Sequence, residues 1–301
     1  MHAWESIQKA INYIEDNIKD KIELAHLANI ANLSYFYFHR LFTRLAKTSA
    51  QEYIKLRRLA RSCESLKNKD IRILDIALEH GFSSHETFTR AFKDIYGLTP
   101  SEYRDNPVSL NNFDKPDLLL NYIVVDEGVP LISDGLVLEM NRKALDEPVR
   151  FLGIQEHMPF KPGKMLGERP GISVPDTIWK RLFQSVGDIP RIPDGRTLGV
   201  CFKGDAPEGY TTYFAGVESQ KVTANDNFAS WLLPAREYVV CSFESENFGK
   251  MAGSAVGKAM KYTRFWLKKH GLIADGFFPE MYYRGSPEMV YMELWIPFKK
   301  R

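Results

Sequence analysis

LDIALEHGFSSHETFTRAFKDIYGLTPSEYR, from Leu74 to Arg104, decides the fold of the first part of this chain. Ile73, Leu74, Ile76 and Ala77 open a short helical pattern that stops at Gly81, where a left-handed turn carries no Cβ penalty. Ser83 and Ser84 follow at the natural N-cap positions of a second helix. That helix places Phe88, Phe92 and Ile95 on one face and His85, Glu86, Thr89, Arg90 and Lys93 elsewhere on its circumference. Two short helices joined by a tight turn, the second with an open polar face, make a helix-turn-helix. Gly97 ends the second helix, and Thr99 with Pro100 starts another, Thr at the N-cap and Pro in the first turn.

The same pattern stands earlier in the chain. Leu24 to Ala31, a turn at Asn32, and a helix from Ser34 to Lys47 repeat it, Asn being the residue after Gly most tolerant of a left-handed turn. Ala28 aligns with Ala77, Leu33 with Phe82, Phe38 with Phe88, Arg40 with Arg90 and Phe42 with Phe92, an offset of 49 to 50 residues. A long helix, Gln51 to Leu66, joins the copies, and an amphipathic helix from Trp4 to Asn17 with Ile7, Ile11 and Ile14 on one face precedes both. In the first copy Lys47 and Ala50 take the places of Gly97 and Pro100, so a different helix end is expected there.

Length allows two domains in 301 residues, each with its own core. With 44% hydrophobic and 26% charged residues, the composition is globular, and no apolar run is long enough to span a bilayer. The N-terminus lacks the charged-then-apolar order of a signal peptide. Cys63, Cys201 and Cys241 form neither a metal spacing nor a disulfide framework, so no cofactor, no membrane association and a reducing cytoplasm are expected. The net charge of +2 hides an uneven spread. Between residues 34 and 61, Arg40, Arg44, Lys47, Lys55, Arg57, Arg58 and Arg61 stand against Glu52 alone, an edge that attracts phosphates.

Residues 105–116 form a polar, Pro-containing linker, and beyond it extended alternating runs replace helices. Strands are expected at Leu118–Val125 and Leu136–Met140. A strand at Val149–Gln155, a helix at Pro175–Val186 and strands at Thr197–Lys203 and Thr211–Glu218 come next. The order recurs as a strand at Glu237–Phe243, a helix at Phe248–His270, and strands at Glu280–Arg284 and Val290–Phe298. Two βαββ units in tandem describe a pseudo-symmetric α+β domain with a groove between its halves.

Taken with its spacing, GF-S-S…F-x-R-x-F-K…G-x-T-P-x-x-Y-R resembles the DNA-binding domain of AraC-family transcription regulators. YFAGV (213–217), PAREYVV (234–240), Trp266, EMY (280–282) and ELWIP (293–297) resemble the GyrI-like small-molecule-binding domain. Together they imply an all-α DNA-binding domain at 1–108 with two helix-turn-helix units, a linker at 109–117, and a GyrI-like α+β domain at 118–301. The family's base-facing positions fall on Phe36, His39 and Arg40 in the first reading helix and on His85, Glu86, Thr89 and Arg90 in the second. Arg suits bidentate contact with guanine, and a Thr methyl or a Phe ring can meet a thymine methyl. Arg44 and Lys93 join them as DNA contacts, and Lys55, Arg57 and Arg58 are placed as phosphate neighbours; each position is as readily a solvated one.

In the last strand Tyr291, Glu293 and Trp295 share one face. A carboxylate between aromatic rings is costly without a partner, and a cationic ligand would supply one together with cation–π contact. The competing reading is a structural pair with Arg284, Lys258 or another internal base. Trp179, Tyr213, Trp266, Glu280 and Tyr282 are further wall candidates, each equally readable as core. The sequence thus points to a transcription regulator, an activator working beside RNA polymerase. It would bind double-stranded DNA as a monomer and respond to a small, cationic amphipathic effector. The other reading is a drug-sequestering protein or a hydrolase using Glu280 and Glu293 as an acid/base pair, but no nucleophile–His–acid order supports an enzyme.

Overall fold

The computed structural model describes residues 2–133, 136–160, 171–192, 194–220, 228–245, 255–283 and 290–301. The chain divides into two compact units, one built mainly from Met1–Tyr122, the other from Ile123–Lys164 with Val174–Arg301.

The first unit is helical: α1 (Ala3–Asp16), α2 (Leu24–Ile30), α3 (Tyr35–Ala46), α4 (Ala50–Leu66), α5 (Ile73–Glu79), α6 (His85–Tyr96) and α7 (Pro100–Asp105). Its apolar residues gather in two cores. One holds Ile7, Ile11, Ile14, Leu27, Phe38, Phe42 and Tyr53, the other Leu59, Leu66, Ile76, Phe88, Phe92 and Tyr103. Local chemistry repeats between the halves. Ser34 and Ser84 each accept a hydrogen bond from the backbone N–H three residues on, as do Ser49 and Thr99 at the starts of α4 and α7. Asn32 and Gly81 turn the chain at φ 54° and 73°, and Lys47 and Gly97 end the reading helices at φ 61° and 80°. The expectation of a different end to α3 is therefore corrected: Lys47 adopts the left-handed conformation in place of glycine.

Residues 105–116 pack on the helices. The Phe113 ring meets Tyr53 at 5.8 Å, and β1 (Leu110–Asn111) pairs with β5 (Gly171–Ile172). The strand expected at Leu118–Val125 is absent. Leu118 is buried in the first core with its N–H donated to the Gln8 side chain, and residues 119–121 make a single 3-10 turn whose Leu119 N–H donates to the Asp117 carboxylate. Backbone groups satisfied locally have no call for a sheet partner.

The second unit is built on an antiparallel sheet. Its strands are β2 (Leu131–Ser133), β3 (Leu136–Ala144), β4 (Val149–Pro159), β6 (Thr197–Phe202), β7 (Tyr210–Glu218), β8 (Ala229–Leu233), β9 (Glu237–Ser245), β10 (Leu272–Ala274), β11 (Phe278–Tyr282) and β12 (Val290–Lys300). They run in the order β2-β3-β9-β12-β11-β6-β7-β4-β8, with β10 pairing β12. Helix α8 (Val174–Ser185) packs on β4 and β7, and α9 (Val256–Lys269) packs on β9 and β10. The parts of the expected elements at 246–254 and at Arg284 lie outside the described residues. Strands β2, β8 and β10 are not among the expected strands, being only three, five and three residues long.

Register assigns the faces. Glu280 stands opposite Gly199 and Leu294, and Tyr213 opposite Cys201, so these residues share one face. Trp179 of α8 reaches Tyr213, and Thr263 of α9 reaches the Cys241 thiol, so both helices cover that face. The other face carries Leu198, Val200, Phe214, Val240, Met281 and Trp295 in one apolar cluster.

Candidate functional site

The DNA-side candidates lie on α3 and α6. Phe36, His39, Arg40 and Arg44 are exposed on the first, and His85, Glu86, Arg90 and Lys93 on the second. Arg40 and Arg90 thus stand at equivalent exposed places on two equivalent helices. Thr89 is half-buried, and its hydroxyl is buried without a hydrogen-bond partner. Glu86, which as an acid sits oddly on such a surface, has its carboxyl lowered by a hydrogen bond from Ser84 and then by its own backbone N–H. It serves the positive end of α6. Tyr35 and Tyr37 flank Phe36, and all three are more than half exposed, an aromatic cluster that the sequence reading reduced to Phe36.

The basic residues of α4 behave differently from the expectation of a phosphate strip. Arg57 is buried: Nε and one terminal nitrogen donate to the two Glu15 carboxylate oxygens at 2.6 and 2.8 Å, and the other terminal nitrogen donates to the Phe113 carbonyl. Burial alone would raise the Glu15 carboxyl, but hydrogen bonding and charge from Arg57, with the Tyr53 hydroxyl, bring it below its ordinary value. Arg58 donates to three backbone carbonyls. Arg61 also reaches Glu15, and Lys55 pairs with Glu52 one turn away. Of the local excess charge read from the sequence, Arg57 is therefore engaged inside the fold and Arg58 in part, while Lys55 and Arg61 pair at the surface.

In the second unit the two candidate carboxylates have unlike surroundings. Glu280 is 6% exposed and accepts hydrogen bonds from the Tyr282 hydroxyl at 3.0 Å and the Tyr213 hydroxyl at 3.2 Å. Trp179 donates to the Tyr213 oxygen at 2.9 Å, lies edge-on to the Tyr282 ring and stacks on Phe183. Gly199 makes room for this group, since a Cβ there would strike the Tyr213 hydroxyl. No cation pairs with Glu280 among the described residues. Burial pushes its carboxyl up to about 7 against the lowering effect of the two tyrosines, and the nearby Asp176 charge adds to the rise.

Glu293 is fully partnered. Lys143 Nζ donates to it at 2.6 Å, and the Tyr283 and Tyr291 hydroxyls and Trp295 Nε1 donate at 2.6 to 2.7 Å. Burial would raise its carboxyl, but Lys143 and the three aromatic donors hold it below the usual value. Lys143 also lies 5.8 Å over the Trp295 ring. The cation and the cation–π contact expected from a ligand are thus supplied by Lys143, an internal base, while Arg284 lies outside the described residues. Nothing in the local pattern of Lys143 marks it, because it reaches Glu293 across β9 from a strand 150 residues away. Trp266 is in neither group: it is fully buried, stacked on His270, with its N–H donated to the Val125 carbonyl. Among the described residues no cluster of metal-ligating side chains occurs, and no helix is long and apolar enough to cross a membrane.

A helix-turn-helix domain model matches residues 27–106, and the model of the GyrI-like small molecule binding domain matches residues 145–299. The uncharacterized HTH-type transcriptional regulator YbfP of Bacillus subtilis (strain 168) is 41% identical over 104 residues, 35% of this chain and 35% of that protein. The right origin-binding protein of Escherichia coli (strain K12) is 35% identical over 101 residues, 34% of this chain and 35% of its own length. The HTH-type transcriptional activator AarP of Providencia stuartii is 29% identical over 114 residues, 38% of this chain and 81% of that protein. The chain thus spans about a third of the length of YbfP and of the right origin-binding protein. It belongs to the AraC-type helix-turn-helix transcription regulators, and its C-terminal unit to the GyrI-like small-molecule-binding domains.

Proposed function

We propose that this protein binds duplex DNA as a monomer in the cytoplasm, with α3 and α6 in two successive major-groove segments. In this reading it activates transcription beside RNA polymerase in response to a small cationic amphipathic molecule. The observation that carries the DNA half is the doubled unit: two reading helices with matching caps and turns, each presenting an exposed arginine at the same place. Two such helices on one chain suit groove segments about 34 Å apart. Activation has support from the named activity of AarP.

The effector half rests on Glu280. A buried carboxyl ringed by Trp179, Tyr213 and Tyr282, with no cation paired to it among the described residues, gains most from a cationic ligand, which would restore its charge and add cation–π contact. Glu293, Tyr291 and Trp295 then act as a support on the opposite face. We read the second unit as two halves, β4-α8-β6-β7 and β9-α9-β11-β12, related by a pseudo-twofold axis between β11 and β6, a reading supported by the strand order. Residues 1–108 form the DNA-binding domain in this scheme and 118–301 the effector domain, with 109–117 between them. The hydrolase reading loses its acid/base pair, since Glu280 and Glu293 face opposite sides of the sheet.

Footprinting on the gene's own upstream region, with and without amphipathic cations, tests the whole. A protected site of two segments one turn apart, altered by cations and not by neutral analogues, is the expected result. Protection without sequence preference would overturn it.

A further inference from the structure

Helix α4 is shared by the two helix-turn-helix halves, and its side chains change allegiance part-way along. Tyr53 and Ile54 belong to the first core, and Leu59, Cys63 and Leu66 to the second. The two cores draw on successive stretches of this one helix, so α4 is the element through which the halves meet. Arg58 sits at the changeover. Its Nε donates to the Ile18 carbonyl at 3.0 Å and one terminal nitrogen to the Asp20 carbonyl at 2.7 Å. The other terminal nitrogen donates to the Gly81 carbonyl at 3.1 Å. Ile18 and Asp20 lie between α1 and α2 in the first half, and Gly81 is the turn of the second. Glycine suits this place: its φ is 73°, and a Cβ would lie 2.5 Å from the guanidinium carbon, so Arg58 would have to shift to admit one. The Lys19–Glu79 pair crosses the same waist, but at 55% and 43% side-chain exposure it contributes little.

We propose that Arg58 is a positioning residue for DNA recognition: by tying both halves to one planar fork it sets the separation of α3 and α6, and hence the spacing between the two base sequences the protein accepts. The inference rests on the reading of α3 and α6 as the DNA-reading helices. One base pair changes the distance between groove segments by about 3.4 Å, with a rotation of about 35°. A rigid waist rejects that change, and a loosened one follows it. Lysine offers a point charge with no fork and cannot serve three carbonyls set apart in this way.

The test uses the full chain and duplexes carrying its footprinted site, with the two protected segments at natural spacing and moved by one base pair either way. Wild-type protein is expected to lose about tenfold in affinity for each shifted duplex, by the cost of forcing DNA to fit. Arg58→Lys and Arg58→Met are expected to weaken natural-site binding several-fold and to shrink the penalty for shifted duplexes below about threefold. Their salt dependence should stay as in wild type, because no phosphate contact is lost. An equal loss at every spacing, or a salt slope shallower by about one phosphate, overturns the proposal. Spin labels at Thr43→Cys and Asp94→Cys, both exposed, give a reading without DNA. Arg58→Lys should broaden their distance distribution, and an unchanged distribution overturns the proposal even if Arg58→Met fails to fold. If wild-type protein shows no sequence-specific footprint while the labels respond, the DNA reading has failed and the waist function of Arg58 has not.

Discussion

Glu280 and Glu293 lie on adjacent paired strands yet face opposite sides of the sheet, because Glu280 stands opposite Leu294 and Glu293 opposite Met281. That register gives one acid an aromatic surround with no cation among the described residues and the other a lysine. The two carboxylates therefore respond differently to pH, ligand and substitution.

Glu280 makes the second unit less stable as pH rises. Its carboxyl moves from 4.5 to about 7 on folding, so between those values the folded protein keeps a proton that the unfolded chain has released. The stabilisation is complete below the unfolded value and lost as pH climbs through the folded one, on the order of 3 kcal/mol at most. Glu280→Gln should flatten urea-unfolding midpoints between about pH 5 and 8 and raise the midpoint at the upper end. Tryptophan emission is a suitable probe, since Trp179, Trp231, Trp266 and Trp295 all lie in this unit. An unchanged slope would assign the titration elsewhere.

Ligand affinity should run the other way. A cation needs the ionised carboxylate, so cation binding is expected to strengthen about tenfold per pH unit below the raised value and to level off above it. Glu280→Gln should weaken a cationic ligand by about 1.5–3 kcal/mol and leave its neutral analogue nearly unchanged. Calorimetric titration with a matched pair decides this; equal losses for both would show that shape alone is at stake.

For Glu293→Gln the expected result is loss of stability with cation affinity retained. Four donors converge on this carboxylate, and removing its charge leaves Lys143 without its partner. A cost of about 1.5–3 kcal/mol in the second unit is expected. Preserved stability with lost cation binding would return Glu293 to the ligand site.

In the first unit, Glu15→Gln removes the anion beneath a buried guanidinium. The pair's side chains are only 10% and 6% exposed, and breaking such a pair costs about 3–5 kcal/mol. Thermal unfolding of the variant should show the helical unit melting well below wild type. A shift of only a degree or two would mean that water replaces the carboxylate.

Lys47→Gly tests the left-handed end of α3. Lys47 holds φ 61° without glycine's freedom, so the substitution should stabilise the first unit by about 1 kcal/mol, as its counterpart Gly97 already does in the second copy. No gain would indicate that side-chain packing at Lys47 offsets the strain.

The helical unit was legible because its signals are local. Caps at Ser34, Ser84 and Thr99, turns at Asn32 and Gly81, and apolar spacing in Phe38, Phe42, Phe88 and Phe92 each act within a few residues. The exposed faces of α3 and α6 follow from the same spacing. Leu118–Val125 was misread because its hydrophobic content suits a strand, while the deciding interaction is the Gln8 side chain more than a hundred residues away.

By itself, the sequence determined the two helix-turn-helix copies, the alternation of β and α segments after them, and which strand residues share a face. All of these depend on backbone preferences and on periods of 3.6 and 2 residues. Tertiary structure alone decided the partners of each charge. Arg57 could have met a phosphate until Glu15 was brought beneath it, and Glu293 could have awaited a ligand until β3 delivered Lys143. Glu280 sits apart from any cation among the described residues because Gly199, Tyr213 and α8 enclose it in an aromatic surround. Charge pairing depends on distances of a few ångströms between segments far apart in the chain, and register and packing set those distances.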